Sequence, residues 1–280
     1  MKISIITATY NRPQILVANA LSSIKNQSDR NFELVIVNDG ANPKTKNIIR
    51  HFQENVDFPV HYIEMEHPPE SSGFGLCYGR NLGLENATGD IVTYLDDDNS
   101  VTPDFVALVR QYFQKQPLIR YSMPRQNRRR DIWNDGKITH HGKPFISPSS
   151  NCSLLQLLAQ QEIFDSNGFA YYRKDAPRWN PQFRVFADYE YLLQSVGVWG
   201  KEAFGLNESI LVNYVQSSTG IIGSSNYEQW AEELSVIVKN AGNYTILDDP
   251  INKILERSIN HCQNKAKILS VPEAFAVSTS

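Results

Sequence analysis

Three consecutive carboxylates, Asp96, Asp97 and Asp98, follow directly on the apolar run Ile91-Val92-Thr93-Tyr94-Leu95. Two carboxylates about 5 Å apart repel by roughly 3 kcal/mol at an effective dielectric of about 20, and a divalent cation turns that repulsion into attraction. Mg²⁺ or Mn²⁺ held by one or two carboxylates takes its remaining ligands from water and from a substrate diphosphate. An acidic triplet alone reads more readily as a solvated turn. Two other polar clusters occupy comparable places, however: Thr9-Tyr10-Asn11-Arg12 after the run that starts at Lys2, and Asn38-Asp39 after Phe32–Val37.

The elements that position these clusters are legible as apolar patterns. Residues 2–9, 32–37, 60–63 and 91–95 are rich in β-branched and aromatic residues and bounded by turn formers, which predicts strands. Between the first two, Ile15, Leu16, Ala20, Leu21 and Ile24 recur at helical spacing, and residues 44–55 and 78–85 are further helix candidates. Alternation of strand and helix predicts a mostly parallel sheet with both faces covered. In such sheets ligands bind beyond the carboxyl ends of the strands. All three polar clusters fall at those ends, which points to a nucleotide site with a metal. No Gly-x-Gly-x-x-Gly follows the first strand and no Gly-rich loop ends in Lys-Ser/Thr, so dinucleotide and P-loop readings find no support.

Composition narrows the class further. The 280 residues are 41% hydrophobic and 20% charged, the balance of a folded globular chain. A net charge of −3 gives no general attraction to nucleic acid or to an anionic membrane, so phosphate binding must come from local cations and a metal. Cys77, Cys152 and Cys262 are odd in number and far apart, which excludes zinc spacing and predicts a reducing compartment. No apolar run approaches the ~18 residues of a membrane span, and the N-terminus enters a strand without a leader pattern. A cytoplasmic protein, or one peripheral to the inner membrane face, is expected.

Four ordered motifs carry a resemblance to a known family: Thr7-Ala8-Thr9-Tyr10-Asn11-Arg12, Val37-Asn38-Asp39-Gly40, Gly79-Arg80-Asn81-Leu82-Gly83-Leu84 with Ala87-Thr88-Gly89-Asp90, and Leu95-Asp96-Asp97-Asp98-Asn99. The chain resembles the inverting glycosyltransferases of family 2, which have the GT-A fold. The pattern Asp97-Asp98-Asn99 with Pro103-Asp104 is similar to the spore-coat polysaccharide branch of that family. The resemblance covers the first 110 residues and fades towards residue 215. It implies a Rossmann-like α/β sheet flanked by helices, Mn²⁺ or Mg²⁺ as cofactor, and a nucleoside-diphosphate sugar, UDP- or dTDP-linked, as donor. It further implies that Ala8, Thr9, Tyr10, Asn11 and Arg12 line the base and ribose. Asp39 would accept from uracil N3–H, Arg80 would approach the nucleobase or diphosphate, and Asp97 the ribose or a metal-bound water. Asp98, with Asp96, would ligate the metal. Taken singly, Asp39 reads as well as an Asx-turn and Arg80 as a surface helix residue.

The second half supplies the acceptor side in this reading. Inversion needs a base on the face of the anomeric carbon opposite the departing diphosphate. In Phe186-Ala187-Asp188-Tyr189-Glu190, Asp188 matches the base position of the resemblance, Ala187 stands where Glu is usual, and a helix N-cap is the structural alternative for Asp188. Arg128-Arg129-Arg130-Asp131 reads as a solvated loop, residues 153–164 as a helix, and Ser217–Gly223 as a loop able to fold over donor or, equally, as an ordinary flexible linker. Residues 227–239 and 251–267 carry helical apolar spacing. The expected organisation is a nucleotide-sugar half (1–100), an acceptor half of the same domain (101–225) and a C-terminal helical extension (226–280) that packs on the domain or drives self-association into a homo-oligomer. The acceptor is an unidentified carbohydrate or glycoconjugate. The rival reading, motivated by Ala187, is a non-catalytic nucleotide-sugar-binding or scaffold protein.

Overall fold

The computed structural model describes residues 1–134, 137–218 and 220–269. Thr219, inside the expected donor-covering loop, and the tail 270–280 lie outside the described residues. Four strands, β1 (Ile3–Tyr10), β2 (Phe32–Asp39), β3 (Val60–Met65) and β4 (Ile91–Tyr94), run parallel in the order β3-β2-β1-β4. β2 is buried along its whole length and β1 up to Thr9, because helices cover both faces. The first helical stretch is α1 (Pro13–Leu16), a π-helical turn at Val17–Leu21, and α2 (Ser22–Lys25). Asn42 opens α3 (Pro43–Glu54) by accepting from the backbone N–H of Lys44 and Thr45, and α4 (Gly75–Asn86) leads into β4.

Beyond β4 the sheet becomes mixed. After β5 (Ser100–Val101) and α5 (Phe105–Lys115) come the long β6 (Tyr121–Asn134) and its partners β7 (Lys137–His141) and β8 (Phe145–Ser147). Then follow α6 (Leu154–Leu158), β9 (Ala170–Tyr172), α7 (Ala187–Trp199), β10 (Phe204–Ser217), α8 (Ile221–Ser224), α9 (Tyr227–Lys239) and α10 (Asp249–Leu269). β9 runs antiparallel to both β4 and β6 and joins the halves, β10 lies parallel to β6, and β5 closes that side antiparallel to β10.

Two expectations are corrected. Arg128-Arg129-Arg130-Asp131 is not a solvated loop but part of β6: Arg128 is buried with its guanidinium 3.7 Å from the centre of the Tyr214 ring, and Arg129 pairs with Asp131. The helix expected over residues 153–164 is only α6; Ser153 and Gln156 form its capping box, and Gln160 takes φ +54°, where a helix cannot continue.

The sheet separates two apolar layers. Leu16, Leu21, Ile24, Ile49, Phe105 and Phe113 pack on one face; Leu84, Tyr191, Leu192, Leu234, Ile237 and Leu255 belong to the other. The C-terminal helices therefore share a core with α7. Near the N-terminal edge, the fully buried Glu33 carboxylate accepts from Ser4 Oγ (2.6 Å), Thr88 N (2.6 Å), Thr88 Oγ1 (2.6 Å) and Lys2 Nζ, which ties β1, β2 and the turn before β4. Burial pulls this carboxyl up, but the hydrogen bonds win and hold it at about 2 against an ordinary 4.5. Its contribution is thus complete above pH 4.5 and lost as pH falls towards 2. Glu33→Gln is expected to cost on the order of 2 kcal/mol at pH 7. Urea melts of the two proteins should converge as pH drops through that window; parallel curves down to pH 2 would show that the charge of Glu33 contributes nothing.

Candidate active site

The chain leaves β1 for β2 and β3, then returns to β4 on the other side of β1. Strand direction of travel thus switches at β1, and such a switch opens a crevice at the carboxyl ends. A cavity of about 830 Å³ lies there, lined from β1, β2, the β4 end, α4, α7 and β10. That volume suits a ligand of nucleotide-sugar size.

One end is aromatic and acidic. The Tyr10 ring, 46% exposed, stacks on His67 with centroids 4.1 Å apart and planes at 19°. His67 Nδ1 lies 2.9 Å from Asp39 Oδ2. The other oxygen, Asp39 Oδ1, is sealed and has no hydrogen-bond partner among the described residues. Burial raises the Asp39 carboxyl above its usual range, with His67 opposing. α4 begins with glycine for a steric reason: a Cβ on Gly75 would sit 2.9 Å from Asp39 Oδ2 and 3.1 Å from His67 Cε1.

The carboxylate triplet does not continue the strand. β4 stops at Tyr94, and Asn99 N donates to Asp96 O (3.1 Å), so the three side chains part company in a turn. Asp97 is fully buried, accepting from Thr9 Oγ1 (2.6 Å) and from the Arg12 guanidinium through Nε (3.2 Å) and Nη2. Burial pushes its carboxyl up to about 7, with Arg12 pulling the other way. Asp98 Oδ2 accepts from Arg12 Nη1 (3.0 Å), and burial raises this group too. Both oxygens of Asp96 are engaged: Oδ1 by Arg80 Nη2 (2.8 Å), Oδ2 by Asn167 Nδ2 (2.9 Å). Burial opposes its charge, but Arg80 prevails and its pKa is lowered.

Arg80 is 2% exposed on α4, and its other arm, Nη1, donates to Asp188 Oδ1 (2.9 Å). The guanidinium carbon lies 4.3 Å from the Trp179 ring centre and 5.5 Å from that of Tyr94. Trp179 is held by a reciprocal pair of bonds with the Asn81 side chain (2.8 and 2.9 Å) and stacks on Tyr191 at 4.1 Å. Asp188 is the second residue of α7. The cap position belongs to Phe186, so the capping alternative for Asp188 does not apply. The turn before it is fixed from the C-terminal extension: the Glu233 carboxylate of α9 accepts from the N–H of Val185 (2.9 Å) and Phe186 (2.8 Å). Ala187 is buried in the core beside the cavity, while Glu190 turns to Gln194 and Tyr244.

Of the residues singled out from sequence, Ala8, Thr9, Tyr10, Arg12, Asp39, Arg80, Asp96, Asp98 and Asp188 line this one cavity. Asn11 and Asp97 are not in the lining. Asn11, at φ +54°, accepts from Asn42 Nδ2 (2.7 Å), and Asp97 is enclosed by Thr9 and Arg12. His67, Asn167, Asp165 and Glu233 were not foreseen. Each is a lone polar residue outside any spaced motif, recognisable only from partners distant in sequence. No group of three or more His, Cys, Asp or Glu among the described residues is arranged to hold a metal.

Solved structures with this architecture define the class. S. aureus TarS residues 1–349 in complex with UDP-GlcNAc superposes with TM-score 0.68 at 16% identity, covering 97% of this chain and 76% of that one. The mannosyltransferase PcManGT from Pyrobaculum calidifontis, in complex with GDP-Man and Mn²⁺, gives TM-score 0.62 at 16% identity over 100% of this chain and 76% of that one. The fold is GT-A. The family model for glycosyl transferase family 2 matches residues 4–178, more than half of the chain, and the protein belongs to that family. Among curated relatives, a Campylobacter jejuni GalNAc(5)-diNAcBac-PP-undecaprenol beta-1,3-glucosyltransferase is 29% identical over 110 residues, 39% of this chain and 34% of its own length. Glycosyltransferase GlyA of Streptococcus pneumoniae is 37% identical over 105 residues, 38% of this chain and 14% of its own. The matches thus span about a third of the C. jejuni relative's length and about a seventh of GlyA's.

The Arg80 pairings generate a stability prediction. Arg80→Met fills the aromatic box but leaves two carboxylates without their cation, a change that typically costs about 3–5 kcal/mol. Chemical denaturation should show a loss of that order; a loss under ~1 kcal/mol would mean that solvent already satisfies Asp96 and Asp188.

Proposed function

We propose that the protein transfers a sugar from a UDP- or dTDP-linked donor to an acceptor hydroxyl with inversion. The observation that carries the reading is the Asp39 carboxylate, which lines the cavity beside the half-exposed Tyr10 ring. Uracil and thymine offer an N3–H that a carboxylate accepts, while their ring stacks on an aromatic face. The diphosphate then reaches Arg12 and Asp98, and the sugar lies between them and Asp188.

The donor set fits a divalent cation at Asp98 rather than Asp96. Asp98 shares one oxygen with Arg12 only, whereas Arg80 and Asn167 occupy both oxygens of Asp96. One carboxylate with substrate phosphates and water is a sufficient set for Mg²⁺ or Mn²⁺. When bound, that ion offsets charge on the departing diphosphate; the Mn²⁺ complex of PcManGT supports it. Asp97 contributes indirectly, by holding Arg12 and Thr9. Arg80 fixes Asp188 through Oδ1, and no described residue donates to Asp188 Oδ2, which is left to take the proton of the attacking hydroxyl. A polysaccharide or glycoconjugate acceptor is in keeping with the lipid-linked oligosaccharide in the name of the C. jejuni relative.

Calorimetry with UDP, dTDP and GDP in Mn²⁺ tests the donor end. Wild type should favour the pyrimidines by about tenfold or more, the value of one hydrogen bond to a charged group, and Asp39→Ala should erase the preference. Equal affinity for GDP and UDP, unchanged by the substitution, would refute it. For the base, Asp188→Asn should slow release of UDP from a UDP-sugar by roughly 10²–10⁴-fold while UDP affinity stays within about twofold. Wild-type turnover in that variant would remove Asp188 from the role. UDP-sugar binding without any wild-type turnover would favour the non-catalytic reading.

A further inference from the structure

Asp165 is a buried carboxylate of this cavity that neither the donor contacts nor the base employ. It lies between α6 and β9, is 6% exposed, and lines the cavity with Asp96, Asp98, Asp188 and Tyr214. Its two oxygens differ sharply. Oδ1 accepts three hydrogen bonds, from Asn167 N (2.9 Å), Asn167 Nδ2 (3.0 Å) and Gln126 Nε2 (3.2 Å). Oδ2 accepts none from any described residue, yet unlike Asp39 Oδ1 it is not sealed from solvent.

The surroundings hold this carboxylate in place. Gln126 also donates to Asn167 O (2.8 Å) and receives Arg128 on its oxygen. Arg128 lies over Tyr214 and is the compensating cation. On the other side Asn167 donates to Asp96 Oδ2 (2.9 Å) and accepts from Asp96 N (2.7 Å). A continuous ladder of hydrogen bonds therefore runs from Arg128 through Gln126, Asp165, Asn167, Asp96 and Arg80 to Asp188. Burial pushes the Asp165 carboxyl up to about 6, with Arg128 opposing.

A purely structural role accounts for only half of this. The bond from Asn167 N to Oδ1 is an Asx-turn, which an asparagine closes equally well. Burying a charge to make such a turn is costly, and the turn leaves the second oxygen unused. We propose that Asp165 reads the donor sugar: its open Oδ2 accepts a hydrogen bond from a sugar hydroxyl placed between Asp98 and Asp188. The inference rests on the UDP-sugar transferase reading above. A carboxylate acceptor selects for a hydroxyl at one ring position and against its deoxy counterpart, because the unpaired partner is left buried.

Asp165→Asn tests this with little disturbance. Asparagine keeps Oδ1 and its three donors but replaces the open acceptor by an N–H₂ donor. The probes are UDP, UDP-glucose, UDP-galactose, UDP-GlcNAc and UDP-GalNAc, titrated calorimetrically into both proteins with Mn²⁺. For the sugar nucleotide that wild type binds best, the variant should lose about ten- to a hundredfold in affinity, the worth of a hydrogen bond to a charged group. UDP affinity should stay within about twofold. Equal sugar-nucleotide affinities in the two proteins, or a wild type that binds every UDP-sugar no better than UDP, would overturn the role of Asp165 while leaving the donor reading intact. A wild type that binds neither UDP nor dTDP nor any of these sugar nucleotides would take down both. Melting temperature is the control for folding; if the asparagine variant melts early, Asp165→Ser, whose hydroxyl can close the same turn, is titrated in its place.

Discussion

The site is organised around the buried guanidinium of α4. Arg80 carries its charge into an aromatic box of Trp179 and Tyr94, where an unpaired guanidinium would be prohibitively costly. Its two arms therefore fix two carboxylates, Asp96 at the end of β4 and Asp188 at the start of α7. These residues come from the first and second halves of the chain, so the pairing fixes the end of β4 against the start of α7. The helix that carries Arg80 has to approach closely: a Cβ on Gly79 would meet the Ala8 methyl at 3.0 Å.

The remaining charges divide according to how much of each side chain is already engaged. Asp97 and Asp96 are consumed in holding other residues, Arg12 with Thr9 and Arg80 with Asn167 respectively. Asp98, Asp188 and Asp165 each keep an oxygen that no described residue donates to, and all three line the same cavity. The C-terminal helices take part in this arrangement. Glu233 of α9 caps the turn before Asp188, and Leu234 and Ile237 share a core with α7. The extension is therefore part of the frame that aims the proposed base.

Much of the donor side was legible in the sequence. Short β-branched runs such as Ile3–Ala8 and Leu34–Val37, bounded by turn formers and alternating with helical spacing, read as doubly covered strands, which brings the polar clusters after them to one edge of the sheet. Which oxygen each aspartate commits was not legible, because it depends on partners such as Asn167, 71 residues from Asp96, and Asp188, 108 residues from Arg80. β6 and β10 escaped notice for a different reason. Gln126-Asn127-Arg128-Arg129-Arg130 is polar at every position, and a strand is the outcome only because Arg128 lies on Tyr214 and Arg129 on Asp131. The helix predicted to run to residue 164 stops at Leu158 because Gln160 takes a left-handed conformation, which apolar spacing does not record.

The central claim is that the cavity holds a pyrimidine nucleotide sugar with its base at Asp39, its diphosphate at Asp98 and its anomeric carbon facing Asp188. A crystal structure of the protein soaked with UDP and Mn²⁺ tests this most directly. The account predicts uracil stacked on Tyr10 with N3 about 2.8–3.0 Å from an oxygen of the Asp39 carboxylate, and density for a cation held at Asp98. Uracil bound elsewhere in the cavity, or a cation ligated by Asp96 with Arg80 displaced from it, would contradict the account.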